Sequence, residues 1–253
     1  MSGQGERMAA TGLDASSGRA PLPSGSGLVK ICGLTDEPGL DAALRAGADM
    51  VGLVFVAASP RHVTSARAAP LAERARGEAA VVGLFQNAAL SDIEAVLERV
   101  PLDLVQLHGA EDEAAASRVA SAFGLPVVRA FGVAGRADLY RAAGFPAALA
   151  IYDARPPRGA GASGGHGAAF DWRLLDAAAE RPPWLLAGGL TPDNVAGAVL
   201  ACRGRPGFAG VDVSSGVEAA RGVKDPALVT RFVAAARAAM SAPTDERPAR
   251  AVP

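Results

Sequence analysis

The chain has 253 residues, half of them apolar, with a formal net charge of -1 and two cysteines. That length fits one α/β barrel or two small domains. The near-neutral charge and the lack of a basic block leave no electrostatic footprint for nucleic acid. No apolar run approaches the eighteen or so residues of a membrane span. Cys32 and Cys202 are too few for a disulfide scaffold and suit a reducing, cytoplasmic setting.

Residues 1–27 are rich in Gly, Ser and Ala, and they lack the apolar core of a secretory signal. They read as a disordered extension, because they bury too little surface to offset ordering entropy. From Leu28 the texture becomes an alternation of apolar, β-branched runs with longer amphipathic runs. The first unit is Leu28–Cys32 with a helix near Glu37–Ala46, capped by Thr35 or Asp36 and closed by Gly47. The second is Met50–Val56, a loop at 57–63 and a helix near Ser65–Arg76. The third is Ala80–Phe85 with a helix near Leu90–Arg99. The fourth is Leu102–Leu107 with Glu111–Phe123, closed by Gly124. Pro126–Phe131 and a short helix near Arg136–Ala143 form the fifth. The sixth is Ala147–Ile151, a long loop, and a helix near Trp172–Ala179. The seventh is Trp184–Ala187 with a helix from about Pro192, where proline suits the first turn. The eighth is Phe208–Val213, a short turn at Ser215–Glu218 and a helix near Pro226–Met240.

Eight successive βα units predict a single (β/α)8 barrel over 28–240, flanked by disordered tails at 1–27 and 241–253. The competing architecture is a doubly wound sheet, which the missing G-x-G-x-x-G after the first strand disfavours. Barrel chemistry sits at the carboxyl ends of the strands. A cysteine ending an apolar strand is ordinarily an inert hydrophobe, and Cys202 fits that description. Cys32 stands instead where the first strand gives way to Gly33, at the barrel mouth, where a thiolate can act as a base. Asp153, at the end of the sixth strand, is either a turn cap or a general acid. The second role requires burial or a neighbouring anion to keep its carboxyl protonated near neutrality.

The loops after strands seven and eight, Ala187-Gly188-Gly189-Leu190-Thr191 and Asp212-Val213-Ser214-Ser215-Gly216, bring main-chain N–H groups and small residues to helix starts. Barrels often hold phosphate there, so Gly188, Gly189, Ser214, Ser215 and Gly216 are candidate phosphate ligands. Arg61, in Ser59-Pro60-Arg61, can offer a planar fork to a substrate carboxylate, or it is a plain surface arginine. Gln106 and His108, two residues apart at the end of strand four, read as polar mouth residues with a structural or positioning role. His62, His108 and His166 form no metal motif, and Glu111 is isolated. The Gly- and Pro-rich stretch 155–169 reads as a functional loop or a surface insertion.

Taken as an ordered set, Val29-Lys30-Ile31-Cys32-Gly33-Leu34-Thr35, Gly52-Leu53-Val54-Phe55 with Ser59-Pro60-Arg61, Val105-Gln106-Leu107-His108-Gly109, Phe170-Asp171-Trp172, Ala187 through Val195, and Gly210 through Glu218 resemble the phosphoribosylanthranilate isomerase family. The resemblance covers about 28–240. It implies a cofactor-free, metal-free Amadori rearrangement in tryptophan biosynthesis, with a small phosphosugar as the partner and a monomer or homodimer as the assembly. In that resemblance Asp153 is the general acid, Cys32 the base, and Arg61 the holder of the anthranilate carboxylate. The Gly188/Gly189 and Ser214-Ser215-Gly216 loops hold phosphate, with Asp212 supporting. Ala168 and Ala169 stand where the family pattern carries Lys-Thr, and Gln86 stands where it carries an apolar residue. Another phosphosugar barrel, or a catalytically silent phosphate-binding module, are the alternatives.

Overall fold

The computed structural model describes residues 27–133, 135–142, 144–154 and 182–243. Eight parallel strands, β1 (Leu28–Cys32), β2 (Met50–Val54), β3 (Ala80–Phe85), β4 (Leu104–Leu107), β5 (Val127–Val133), β6 (Leu149–Ala154), β7 (Trp184–Ala187) and β8 (Phe208–Val213), close in chain order into one barrel. The helices α1 (Glu37–Ala46), α2 (Ser65–Ala75), α3 (Leu90–Leu97), α4 (Glu113–Phe123), α5 (Arg136–Ala142), α6 (Val195–Cys202) and α7 (Pro226–Ser241) follow their strands. The helix expected near 172–179, the stretch 155–169, and the tails at 1–26 and 244–253 lie outside the described residues. None of the described helices is long and apolar enough to cross a membrane.

Period-two alternation sorts each strand's side chains between two cores. Val29 and Ile31 of β1 join the layer beneath the helices, with Leu40, Ala43, Phe232 and Val233. Leu28 turns inward with Met50, Val82, Leu104, Val128, Ile151 and Leu185 to fill the barrel. Lys30 and Cys32 fall on the Leu28 side of the strand, so the same alternation carries an ammonium and then a thiol up the interior. On the helix side Phe131, Tyr152, Trp184 and Phe208 form a ring ladder across β5 to β8, with successive centroids 6.2, 5.3 and 5.1 Å apart. Such contacts add to area burial.

Local chemistry sets the helix ends. Asp36 accepts from Gly39 N at 2.9 Å to start α1, and Gly47 closes it at φ 82. Asp112 and Asp225 cap α4 and α7 in the same way. Several boundaries differ from those expected. β6 continues beyond Ile151 because Gly132 and Asp153 pair, so Asp153 lies within the strand. α6 begins at Val195 instead of Pro192: Asn194 Oδ1 accepts from Thr191 N at 2.8 Å and its Nδ2 donates to Gly189 O at 2.9 Å, holding 191–194 as a turn. Gly27, assigned above to the extension, donates to Ala209 O at 2.8 Å and belongs to the barrel. A small antiparallel hairpin, β9 (Glu218–Ala220) and β10 (Val223–Lys224), was not foreseen; it stands outside the barrel sheet.

The β1–β8 seam closes the cylinder, pairing Leu28 with Gly210 and Lys30 with Asp212. A Cβ on Gly210 would lie 1.9 Å from Leu28 O, so the seam tolerates only glycine there. Gly210→Ala should destabilise the protein by about 1–3 kcal/mol or more through overpacking. Urea unfolding at fixed pH measures this, and an unchanged midpoint contradicts the seam as described.

Candidate active site

A cavity of about 350 Å³ opens at the carboxyl ends of the strands. Cys32, Val54, Leu84, Gln106, His108, Ile151 and Asp153 line it, together with the loops Ala187–Leu190 and Asp212–Gly216. Its size suits a small ligand. Ser59, Arg61 and Gln86 complete the rim. Every candidate site residue named from the sequence is therefore at one place.

Cys32 and Cys202 are both buried thiols outside any disulfide, and Cys202 sits in the helical layer away from the cavity. Gly52 is glycine because a Cβ there would approach Cys32 Sγ to 2.9 Å. Beneath the thiol, Lys30 is fully buried, and its ammonium meets Asp212 Oδ1 at 2.8 Å. Burial pulls the Lys30 pKa down, yet Asp212 and Cys32 together outweigh it, and the net shift is upward. Lys30 is therefore a cation throughout the neutral range.

On the opposite arc, Asp153 is part-exposed, with His108 Nε2 at 3.9 Å from its carboxylate. That separation is too long for a direct hydrogen bond. The Gln106 side-chain amide hydrogen-bonds His108 Nδ1 at 3.1 Å and holds the ring with Nε2 toward Asp153. Burial, the largest influence, lowers the His108 pKa, so the ring is neutral near pH 7. Arg129 fixes the main chain on either side of His108, donating to Leu107 O at 2.9 Å and Gly109 O at 3.0 Å. Glu111 accepts from Asn87 N and Gly109 N, at 2.6 and 2.7 Å, tying the loops after β3 and β4 together. Among the described residues no group of three His, Cys, Asp or Glu could hold a metal.

The two candidate phosphate loops touch. A Cβ on Gly216 would lie 1.8 Å from Leu190 O, so the loop after β8 rests on the loop after β7. Gly188 and Gly189 adopt φ 85 and 64, which frees their N–H groups from a regular strand direction. Ser215–Val217 form a 3-10 turn that starts the loop's N–H array. Ser214 differs from its neighbours: its Oγ donates to Cys32 O at 3.0 Å and accepts from Lys224 Nζ at 3.3 Å. Its hydroxyl thus braces Cys32, and only its main chain is left for an anion.

Arg61 also departs from the simple fork drawn from the sequence. The loop at 57–63 folds back on β2 through Val63 N to Val54 O, 3.0 Å, and carries Arg61 to the rim. There Nε and Nη2 donate to Glu218 Oε1 and Oε2 at 2.6 and 2.9 Å. One edge of the guanidinium is already occupied by a protein carboxylate.

A family model for N-(5'-phosphoribosyl)anthranilate (PRA) isomerase matches residues 29–235. The chain belongs to this family. It is 51% identical to the N-(5'-phosphoribosyl)anthranilate isomerase of Paracoccus denitrificans over 83% of this chain and 97% of that one. The crystal structure of the Thermotoga maritima phosphoribosyl anthranilate isomerase superposes with a TM-score of 0.73 at 34% identity, covering 83% of this chain and 98% of the other. A solved family member holding reduced 1-(o-carboxyphenylamino)-1-deoxyribulose 5-phosphate matches with a TM-score of 0.69 and 31% identity, over 83% and 98% of the two chains.

Three charged residues of the site received no role from the sequence: Lys30 and Glu218, which stand inside the family motifs, and Lys224, which stands outside them. Lys30 was detectable as a charge two residues before Cys32 in an otherwise apolar strand, hence on the same face. Glu218 and Lys224 carried no such signal, because the β9–β10 hairpin that joins them was not predicted. Burial acts to raise the Glu218 pKa, but the bonds from Arg61 and Lys224 outweigh it and bring it from 4.5 to about 2. A carboxyl held below its unfolded value contributes stability fully above that value and loses it as pH falls through the folded one. Glu218→Gln should therefore flatten the acid limb of the unfolding free energy between pH 4.5 and about 2. Denaturant titrations across that window measure it, and an unaltered limb counts against the ion cluster.

Proposed function

We propose that this protein catalyses the Amadori rearrangement of N-(5'-phosphoribosyl)anthranilate to 1-(2-carboxyphenylamino)-1-deoxyribulose 5-phosphate, with Asp153 as general acid and Cys32 as general base. Family membership supports the reaction. The observation that carries the residue roles is the shared cavity, into which β1 delivers a thiol and β6 a carboxyl, with the two glycine-bearing loops between them.

The steps follow from that placement. Main-chain N–H groups of Gly188, Gly189, Ser215 and Gly216 hold the 5'-phosphate, the most strongly anionic part of the substrate. The single main-chain N–H of Ser214 adds to that cradle, and Asp212 supports it indirectly through Lys30. Asp153 gives its proton to the ribose ring oxygen, the bond from that oxygen to C1 breaks, and the nitrogen lone pair completes an iminium. Cys32 thiolate removes the C2 proton, and the C–H electrons form the C1–C2 double bond while the iminium is neutralised. The resulting enol becomes the ketone by proton return at C1. Protons alone are exchanged, so the overall change is an isomerisation. General acid and base groups typically supply about 10²–10⁴-fold each.

Lys30 is the counter-charge for a thiolate in this scheme, since its buried ammonium already interacts with Cys32. Neutral His108, 3.9 Å from the Asp153 carboxylate, adds no positive charge of its own there. The proposal includes a reducing, cytoplasmic setting in which both cysteines remain thiols. Purified Cys32→Ala and Asp153→Asn proteins should each lose turnover of N-(5'-phosphoribosyl)anthranilate by about 10²-fold or more, with thermal unfolding unchanged. A fluorescence assay following substrate loss reads this. Near-normal rates in both variants would overturn the assignment of roles.

A further inference from the structure

The β9–β10 hairpin contributes nothing to the barrel sheet, yet it places two charged side chains beside Arg61. Glu218 Oε1 accepts from Arg61 Nε at 2.6 Å and from Lys224 Nζ at 2.9 Å. Its Oε2 accepts from Arg61 Nη2 at 2.9 Å and Gly222 N at 3.2 Å. Both oxygens are thus saturated, and Glu218 is almost fully buried, with its side chain 6% exposed. It cannot be a substrate ligand. What it does is fix Arg61.

A guanidinium carries five N–H donors along edges that can each pair with a carboxylate. Glu218 takes Nε and one hydrogen of Nη2, and Nη1 has no partner among the described residues. Arg61 lines the cavity, so the donors that Glu218 does not use are the ones open to a ligand there. Charge favours the same outcome. Arg61 and Glu218 alone would be neutral and offer a second carboxylate little attraction. Lys224, buried against the same carboxylate, restores one net positive charge to the cluster.

We propose that Glu218 is the positioning residue for recognition of the substrate's aromatic carboxylate: it grips one edge of Arg61 and leaves the Nη1 edge aimed at that group, while Lys224 keeps the trio cationic. This rests on the function proposed above. The surrounding backbone is shaped to the same end. A Cβ on Gly33, at φ 76, would meet Arg61 Cδ at 2.5 Å, so the arginine stem lies on the turn directly after Cys32. A Cβ on Gly222 would meet Pro60 O at 2.5 Å, and Thr35 Oγ1 donates to Gly222 O at 3.0 Å. The hairpin is thereby wedged between the loops after β1 and β2, with the arginine stem held against the Gly33 turn.

The test uses two competitive inhibitors: the reduced product 1-(o-carboxyphenylamino)-1-deoxyribulose 5-phosphate, and its counterpart lacking the ring carboxylate. Glu218→Ala should weaken the carboxylated inhibitor about tenfold or more, since a charge-assisted bidentate contact is lost. It should leave the decarboxylated one within about twofold, and raise substrate KM more than it lowers kcat. In an Arg61→Ala background the same change should have no further effect on the carboxylated inhibitor. Should Glu218→Ala fail to fold, Glu218→Gln reads the same inhibitor ratio. Equal weakening of both inhibitors, or additive losses in the double variant, overturns the proposal alone. Wild-type protein that neither turns over the substrate nor binds the reduced product overturns the functional reading, and the proposal with it.

Discussion

The buried ion pair between Lys30 and Asp212 is the constraint on which the rest of the site depends. The two residues are partners in the β1–β8 register, so the pair is formed by the strand alignment that closes the barrel. Two charges in an apolar interior are expensive to desolvate, and their attraction compensates only if geometry is good. Here a 2.8 Å contact and adjacent strands meet that condition. Removing either partner of such a pair typically costs about 3–5 kcal/mol, because the survivor is left uncompensated. Closure of the barrel and assembly of the site are therefore one event.

Above that pair the site separates its charges by sector. Lys30, Lys224 and Arg61 gather on the arc of β1, β2 and β8, where a thiolate, a phosphate and a carboxylate are proposed to lie. Lys224 lies lower than an ordinary lysine, first because it is buried and despite the opposing pull of Glu218. Across the cavity the β4–β6 arc presents a neutral imidazole and a carboxyl, with Arg129 turned into the wall to hold main-chain carbonyls. The proposed pairing of an anionic base with a protonated acid in one small cavity calls for this asymmetry, because the same field cannot favour both. Ser214 ties the first of these sectors together, since its hydroxyl is bonded to the Cys32 carbonyl and braced by Lys224.

The barrel was legible in the chain because strand and helix signals are local. The apolar runs Leu28–Cys32 and Ala80–Phe85, the cap at Thr35 or Asp36 and the Gly47 and Gly124 stops each act within a few residues; the structure has the strands and stops where the sequence puts them and chooses Asp36 as the cap. Misjudged boundaries fall where a side chain overrides propensity, as with Asn194 holding a turn ahead of α6, or where a partner strand extends pairing, as with Asp153 in β6. The candidate site residues were legible as positions, since strand ends fix who reaches the mouth. Their charge partners were not. Glu218 lies 157 residues from Arg61 along the chain and Asp212 lies 182 from Lys30. No local pattern encodes contacts of that span, and the hairpin that delivers Glu218 is too short to leave an alternating signature.

The most direct measurement is a crystal structure of this protein with the reduced product bound. The account predicts Cys32 Sγ within about 4 Å of the sugar C2, as a near-attack geometry requires. The Asp153 carboxyl should stand on the opposite flank beside the oxygen that closed the ribose ring, and the phosphate should sit between the Gly188-Gly189 and Ser215-Gly216 main chains. A sugar that meets only one of the two side chains, or a phosphate bound away from those loops, would contradict it.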